Sequence, residues 1–323
     1  MKDNKTSVHF VSLGPGGVDT VTLGTLRLLM EADKVYCFAS GGVSHAADTI
    51  AALFAMEAGG DPTENRQARW QSIERWQSIE KGQEQRQSIE LGQARWQSIE
   101  IGQERWHAPE VITVEVPMSR DRSAVNAIYD QLAEEIRLLA AEGMSICVAT
   151  EGDSGVFATT HYVQDRLADA IHGCMGNCGD SLSGGDGGVL RVEQHPGVPS
   201  FIAAASIAGL HLVKLQERLI VIPGETTAEE LTSLLRSNYN IVVMKLSLAT
   251  EAIRGLLTAS QRDIEAEDVH GEASEQNEQP LRLSLHYFRN IGMPTQEYRR
   301  ITSAEEVPER FPYFSLMIIQ RGE

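Results

Sequence analysis

Four cysteines in 323 residues are too few and too scattered for a disulfide framework. Cys37 and Cys147 stand inside apolar, strand-like runs and are expected as buried thiols. Cys174 and Cys178 form C-M-G-N-C with no second Cys or His pair nearby, so a tetrahedral site is not completed and no protein-bound metal is expected. Basic residues are also scarce. The 28 Lys and Arg stand against 45 Asp and Glu, a formal charge of -17, which leaves no basic face to release counterions from phosphate and argues against a nucleic-acid partner. A small polyanion is still compatible, because a few cleft cations outweigh a distant surface screened over about 10 Å. No window approaches the roughly 20 apolar residues of a membrane span, and MKDNKTSVHF has no apolar stretch. No membrane partner and a cytoplasmic location are therefore expected. A dinucleotide fingerprint is missing too: Gly14, Gly16 and Gly17 are followed by Val18 and Asp19, not by the third glycine of G-x-G-x-x-G, which disfavours NAD.

What the chain has is 42% hydrophobic residues, enough for a sizeable core and about two domains. Val8 to Leu29 joins a branched, apolar strand (Val8–Leu13), a Gly-Pro-Gly-Gly turn and a helix carrying Leu23, Leu26, Leu28 and Leu29, with Thr20 or Thr22 as its cap. The glycines let a ligand approach bare backbone, although any strand-turn-helix unit also needs glycines. A second strand (Ala32–Ala39) and helix (Ser44–Met56) follow. From Glu57 to Trp106 the alternation stops. WQSIE recurs at Trp70, Trp76 and Trp96, and RQSIE at Arg86, within a ten-residue unit that holds Gly82, Gly92 and Gly102. Ten residues advance a helix by about 1000°, short of three turns, so no single face stays apolar. This segment, 57–106, is read as an insertion, with a partner-binding arm as its sharper alternative.

Alternation resumes with strand Val111–Val116, helix Ser123–Ala141 and the apolar strand Met144–Thr150, which runs into Glu151-Gly152-Asp153-Ser154-Gly155. Open α/β sheets bind ligands at the carboxyl ends of their strands, so this loop and the Gly14–Gly17 loop point to one crevice. A glycine-rich insertion, 173–188, precedes strand Val189–Gln194 and the rigid turn His195–Ser200. The second half supplies helix Phe201–Gly209, strand Arg218–Ile222, helix Ala228–Arg236, strand Ile241–Leu246 and helix Leu248–Thr258. An acidic surface excursion is expected at 260–280, then strands Leu283–Arg289 and Tyr313–Gln320. The expectation is two α/β domains, 1–197 and 198–323, with the active site in the cleft between them.

Several separated motifs together resemble the tetrapyrrole methylases. They are LGPGGVDTVTLGTLRLL, PMSRDR (117–122), ATEGDSGVFATTHYV, HPGVPSFIAAASIAGL, IVVMKL, RNIGMPTQEYRRI and PYFSLMII. The resemblance implies two α/β/α domains, S-adenosylmethionine as methyl donor, a tetrapyrrole substrate and a homodimer. PMSRD, the Lys of VVMKL and the closing YFSLMII look most like the branch that methylates carbon 20 of precorrin-2 or of cobalt-factor II, a step of cobalamin biosynthesis. By the same resemblance, the cofactor would contact Pro15, Gly16, Glu151, Gly152, Asp153, Val156, Pro199, Ser200, Leu246 and Gly292. Two departures stand out: Pro199 replaces a usual Thr, and the family's G-D-P reads Gly152-Asp153-Ser154. An Arg that the uroporphyrinogen branch carries near 158–160 is absent.

Methyl transfer from a sulfonium to an enamine-like carbon needs alignment more than a nucleophile, and positioning is worth about 7–11 kcal/mol in favourable cases. His161 is the candidate base, against a purely structural histidine. Asp153 is read as orienting the cofactor, against capping a helix. Lys245 in its apolar strand needs a partner, either a substrate carboxylate or a protein acid. Arg120 and Arg122 suit carboxylates bidentately. Two alternatives stay open, a methylase of this fold with another position or substrate and a non-catalytic scaffold whose Trp-rich repeat binds a partner.

Overall fold

A computed structural model describes residues 7–58, 109–117, 122–168, 190–270 and 280–322. Arg120, the WQSIE repeat, Cys174 and Cys178 lie outside the described residues. The chain divides into two compact units, Met1–Gly197 and Val198–Glu323.

The first unit is a five-stranded parallel sheet in the order β3-β2-β4-β1-β5. Its strands are β1 (Ser7–Ser12), β2 (Lys34–Ala39), β3 (Glu110–Glu115), β4 (Ile146–Thr150) and β5 (Arg191–His195). Central β4 is apolar along its length because helices cover both faces. Val11, Leu13, Val35, Cys37 and Cys147 pack against α1 (Leu23–Glu31) and α2 (His45–Ala58). Val8, Phe10, Tyr36, Ile146 and Val148 pack against α3 (Arg122–Ala141) and α4, the helical residues 161–168. Thr22, rather than Thr20, caps α1 and accepts from the Thr25 N–H at 3.1 Å. Both cysteines are buried and free, and burial pushes both thiols up to about 12. Helix α2 continues past Glu57, where the insertion was expected to begin. The undescribed stretches 59–108 and 169–189 precede β3 and β5, the two edge strands.

The second unit is a mixed sheet in the order β6-β7-β10-β8-β9. Strands β6 (Arg218–Ile222) and β7 (Tyr239–Val243) are parallel, while β8 (Leu283–Arg289), β9 (Glu297–Ile301) and β10 (Ser315–Arg321) pair antiparallel. Helices α5 (Ser200–Ile207), α6 (Ala228–Arg236) and α7 (Thr250–His270) complete the unit. Its core joins Leu231, Leu235, Ile253 and Leu256 to Ile241, Val243, Tyr287, Met317 and Ile319. Three expectations need correction. Strand β7 ends at Val243, so Lys245 is not a strand residue: the chain turns there through a left-handed Lys245, φ 51°. The excursion expected from 260 is helical to His270, because Gln, Arg, Glu and Ala extend α7 and buried Ser260 donates to the Leu281 carbonyl at 2.7 Å. Strand β9 was missed because its charged Arg299 and Arg300 are exposed on a sheet edge and show no apolar alternation. Among the described residues no helix is long and apolar enough to cross a membrane.

Candidate functional site

Strands β1 and β4 are parallel neighbours, so the loops that follow them leave the sheet at the same end. The ladder continues past the strands. Leu13 N–H donates to the Thr150 carbonyl at 2.9 Å, and Gly14 and Gly152 exchange N–H···O bonds at 3.0 and 2.9 Å. Both glycines take left-handed backbone, φ 72° and 65°, which costs an L-residue steric strain that glycine escapes. At Gly14 there is no room either: a Cβ would meet Thr20 Oγ1 and lie 2.5 Å from Thr20 Cβ and 2.8 Å from its carbonyl oxygen. The two loops expected to share a crevice are thus joined by backbone hydrogen bonds, with Pro15 buried and Gly16 half-buried beside the join.

Two side-chain clamps bring the end of β5 to the same place. Asp153 accepts from the Gly155 N–H at 2.8 Å through Oδ1 and from the Gly197 N–H at 2.7 Å through Oδ2. Gly197 is close enough that a Cβ would meet Ser12 Cβ and lie 2.6 Å from the Gly152 carbonyl oxygen. Buried Ser12 accepts from the Ser154 N–H at 2.9 Å and donates to the His195 carbonyl at 2.7 Å. Ser154, where the resembled family carries Pro, therefore contributes an N–H that proline lacks. The sequence reading missed Ser12 and Gly197; a small polar residue closing an apolar strand was the available signal.

Glu151 begins the second loop. Its Oε1 is buried and has no hydrogen-bond partner among the described residues. Burial holds its carboxyl above the ordinary carboxylate range, opposed by His45 at the start of α2 and reinforced by Asp48. A buried, unmet acceptor costs about 1–3 kcal/mol, so Glu151 Oε1 calls for a donor that the described residues do not supply. Val156 follows, its N–H donating to the Asp153 carbonyl at 3.1 Å.

In the second unit the expected residues lie on three separate segments. Pro199 is the N-cap of α5 with no side-chain cap bond, and Ser200 is its first helical residue, so the missing Thr hydroxyl leaves this terminus without side-chain capping. Lys245 and Leu246 follow β7, where the Leu246 side chain is wholly buried in the core. Gly224, φ 96°, packs against this turn: a Cβ there would lie 2.6 Å from the Lys245 carbonyl oxygen. Gly292, φ 77°, sits in the β8–β9 turn and donates to Gln296 Oε1 at 2.9 Å. A cavity of about 770 Å³ lined by Lys214, Glu217, Asn240, Arg282, His286 and Arg300 lies at the opposite ends of β6 and β7 from these loops, so it holds none of the expected residues.

His161 opens α4 and is exposed, with its ring 3.9 Å from that of Tyr162. Its Nδ1 is 2.5 Å from the Ala158 carbonyl, which can only accept, so the proton sits on Nδ1. Arg122 is exposed at the start of α3.

An all-parallel sheet with glycine loops stitched across its carboxyl end, followed by a mixed sheet of β6-β7-β10-β8-β9 order, defines a two-unit α/β protein. The chain belongs to the tetrapyrrole (corrin/porphyrin) methylases, whose family model matches residues 100–307. A precorrin-2 C(20)-methyltransferase from Sinorhizobium sp is 24% identical over 198 residues, 61% of this chain and 64% of that relative. The chain thus matches less than two thirds of this relative's length. The fold is shared with the methyltransferase CobJ (TM-score 0.51, 16% identity, 98% of this chain and 94% of that one). It is shared also with cobalt precorrin-4 methyltransferase CbiF (TM-score 0.52, 15% identity, 98% and 95%).

Proposed function

We propose that this chain methylates a tetrapyrrole of cobalamin biosynthesis with S-adenosylmethionine, and that its substrate is precorrin-2 or cobalt-factor II, methylated at carbon 20. One observation carries the reading: the stitched Gly14–Gly152 loops end beside a buried Glu151 oxygen that has no donor among the described residues. The ammonium and ribose hydroxyls of S-adenosylmethionine are donors of the kind that acceptor needs, so the residues present fit the group. The bound donor supplies an electrophilic methyl. Glu151 holds one of those donor groups, and Pro15, Gly16 and Gly152 offer bare backbone. Asp153 acts chiefly by fixing Gly155 and Gly197, with its remaining lone pairs available to the cofactor. Val156, Pro199, Ser200, Leu246 and Gly292 complete the contacts that the family resemblance implies. Lys245, Arg120 and Arg122 pair with peripheral carboxylates of the macrocycle, which also suits a chain of net charge -17 to a polyanionic substrate. Because Nδ1 of His161 carries its proton, Nε2 is the nitrogen able to take one after methylation. The match to the Sinorhizobium methyltransferase supports carbon 20 over other positions. A homodimer is part of the proposal, and analytical ultracentrifugation checks it.

Anaerobic incubation of the purified protein with S-adenosylmethionine and, separately, precorrin-2 and cobalt-factor II tests the activity. One added methyl at carbon 20, read by mass and NMR, is the expected result, and the substrate that turns over identifies the route. If the cofactor binds and neither substrate gains a methyl, the substrate assignment falls. If the cofactor does not bind, the methyltransferase reading falls with it.

A further inference from the structure

Parallel pairing of β1 with β5 sets His9 opposite Glu193 and Val11 opposite His195. Side chains on one strand face share a period of two, so His9, Glu193 and His195 project to one side of the sheet. There the chain gathers two imidazoles, 186 residues apart in sequence, and the carboxylate of Glu193. His9 Nδ1 is 3.0 Å from His195 Nε2 and 3.4 Å from Glu193 Oε2, and His195 Nε2 is 3.8 Å from that oxygen. All three side chains are half-buried. We infer that His9, Glu193 and His195 form a site for one divalent transition-metal ion of the Zn²⁺ class.

The geometry decides the class. A point equidistant from the three atoms lies about 2.0 Å from each, the bond length Zn²⁺ makes to imidazole nitrogen and carboxylate oxygen. Two imidazoles suit zinc and its neighbours, whereas Mg²⁺ and Ca²⁺ prefer an all-oxygen set. Neighbouring groups orient two of the three ligating atoms toward the shared point. His9 Nε2 is 2.8 Å from Ser7 Oγ, so an Nε2–H donated to Ser7 leaves the Nδ1 lone pair for the metal. Arg191 Nε holds the other carboxylate oxygen, Glu193 Oε1, at 2.8 Å and turns Oε2 inward. With the metal away, nitrogens 3.0 Å apart need a proton between them; the ion replaces that proton. The ion would tie edge strand β5 to β1, two residues before Gly197 enters the Asp153 clamp. The expectation of no bound metal rested on Cys174 and Cys178, and strand register is what brings these three residues together.

The test is titration of the EDTA-treated full-length chain with ZnCl₂ by calorimetry, with Co²⁺ as a coloured substitute. The wild type is expected to take one Zn²⁺ at this site with a rise in Tm. Glu193→Gln and His195→Asn should each weaken it at least tenfold and abolish the Tm rise, while Cys174→Ser/Cys178→Ser leaves both unchanged. Bound Co²⁺ should show visible d–d bands without a thiolate charge-transfer band, a readout that needs no variant to fold. Absence of Zn²⁺ binding, binding that survives both variants, or a thiolate band overturns the inference.

Discussion

Replacing Asp153 by Ala removes two hydrogen bonds from a charged acceptor to backbone amides, one of them to the half-buried Gly197 N–H. Bonds to a charged group are worth about 1.5–3 kcal/mol each. Gly155 is exposed, so its amide recovers a bond to water and counts near the low end. The expected loss is about 2–4 kcal/mol, a fall in Tm of roughly 5–10 °C for a unit of this size. Thermal unfolding followed by circular dichroism measures it, and calorimetric titration with S-adenosylmethionine is run beside it. Because Asp153 acts by holding loops, affinity should fall with stability and return in part with Asp153→Asn, whose carbonyl oxygen can keep one of the two bonds. An Asp153→Ala protein that melts within about 1 °C of the wild type refutes the clamp. One that keeps its Tm and loses all cofactor binding moves Asp153 into direct contact instead.

Glu151→Gln separates stability from binding. A carboxyl whose folded pKa is raised is penalised once ionised, so its cost is absent at acid pH and grows as pH rises past the ordinary carboxylate range. The variant should therefore melt above the wild type at pH 8, converge with it toward pH 4, and bind S-adenosylmethionine about tenfold or more weakly through loss of one charge-assisted bond; equal melting at pH 8 counts against the buried charge. Gly14→Ala should cost about 2–5 kcal/mol from left-handed strain and overpacking, and Thr20→Ala should not rescue it, because Thr20 Cβ and its carbonyl oxygen stay in place. Urea denaturation of the single and double variants decides. Ser154→Pro loses the N–H bond to Ser12, about 1 kcal/mol, but occupies the second position of the turn closed by Val156 N–H to the Asp153 carbonyl, which proline favours. Its net effect should stay within about 1 kcal/mol; a loss above 3 kcal/mol would show that the N–H bond matters more than this.

Much of the fold was legible because its signals are local. Arg218–Ile222, Ala228–Arg236 and Leu283–Arg289 are read from apolar runs and periodicity with the bounds they have in the fold. Edge strand β9 and the polar half of α7 were not, since β9 shows no alternation and α7 is extended by residues that composition alone assigns to solvent. The site divides the same way. Glycine loops after apolar strands marked Gly14 and Gly152, because positive φ has a sequence signature. Ser12, Gly197 and the His9–Glu193–His195 cluster depend on which strand lies beside which, and single-sequence periodicity does not carry strand order. Lys245 was misread for a related reason: an apolar run continues through Met244, and nothing local announces the left-handed turn that ends the strand.

The chain leaves and re-enters the first sheet just ahead of its two edge strands, β3 and β5, whereas the glycine loops open from the carboxyl ends of inner β1 and β4. Helices return a parallel strand's chain to the opposite rim, so the starts of β3 and β5 lie at the end of the sheet away from the glycine loops. They are natural ports for engineering. A fluorophore or an affinity tag placed at that rim adds mass opposite the glycine loops, a tolerance written into strand order rather than into any side chain.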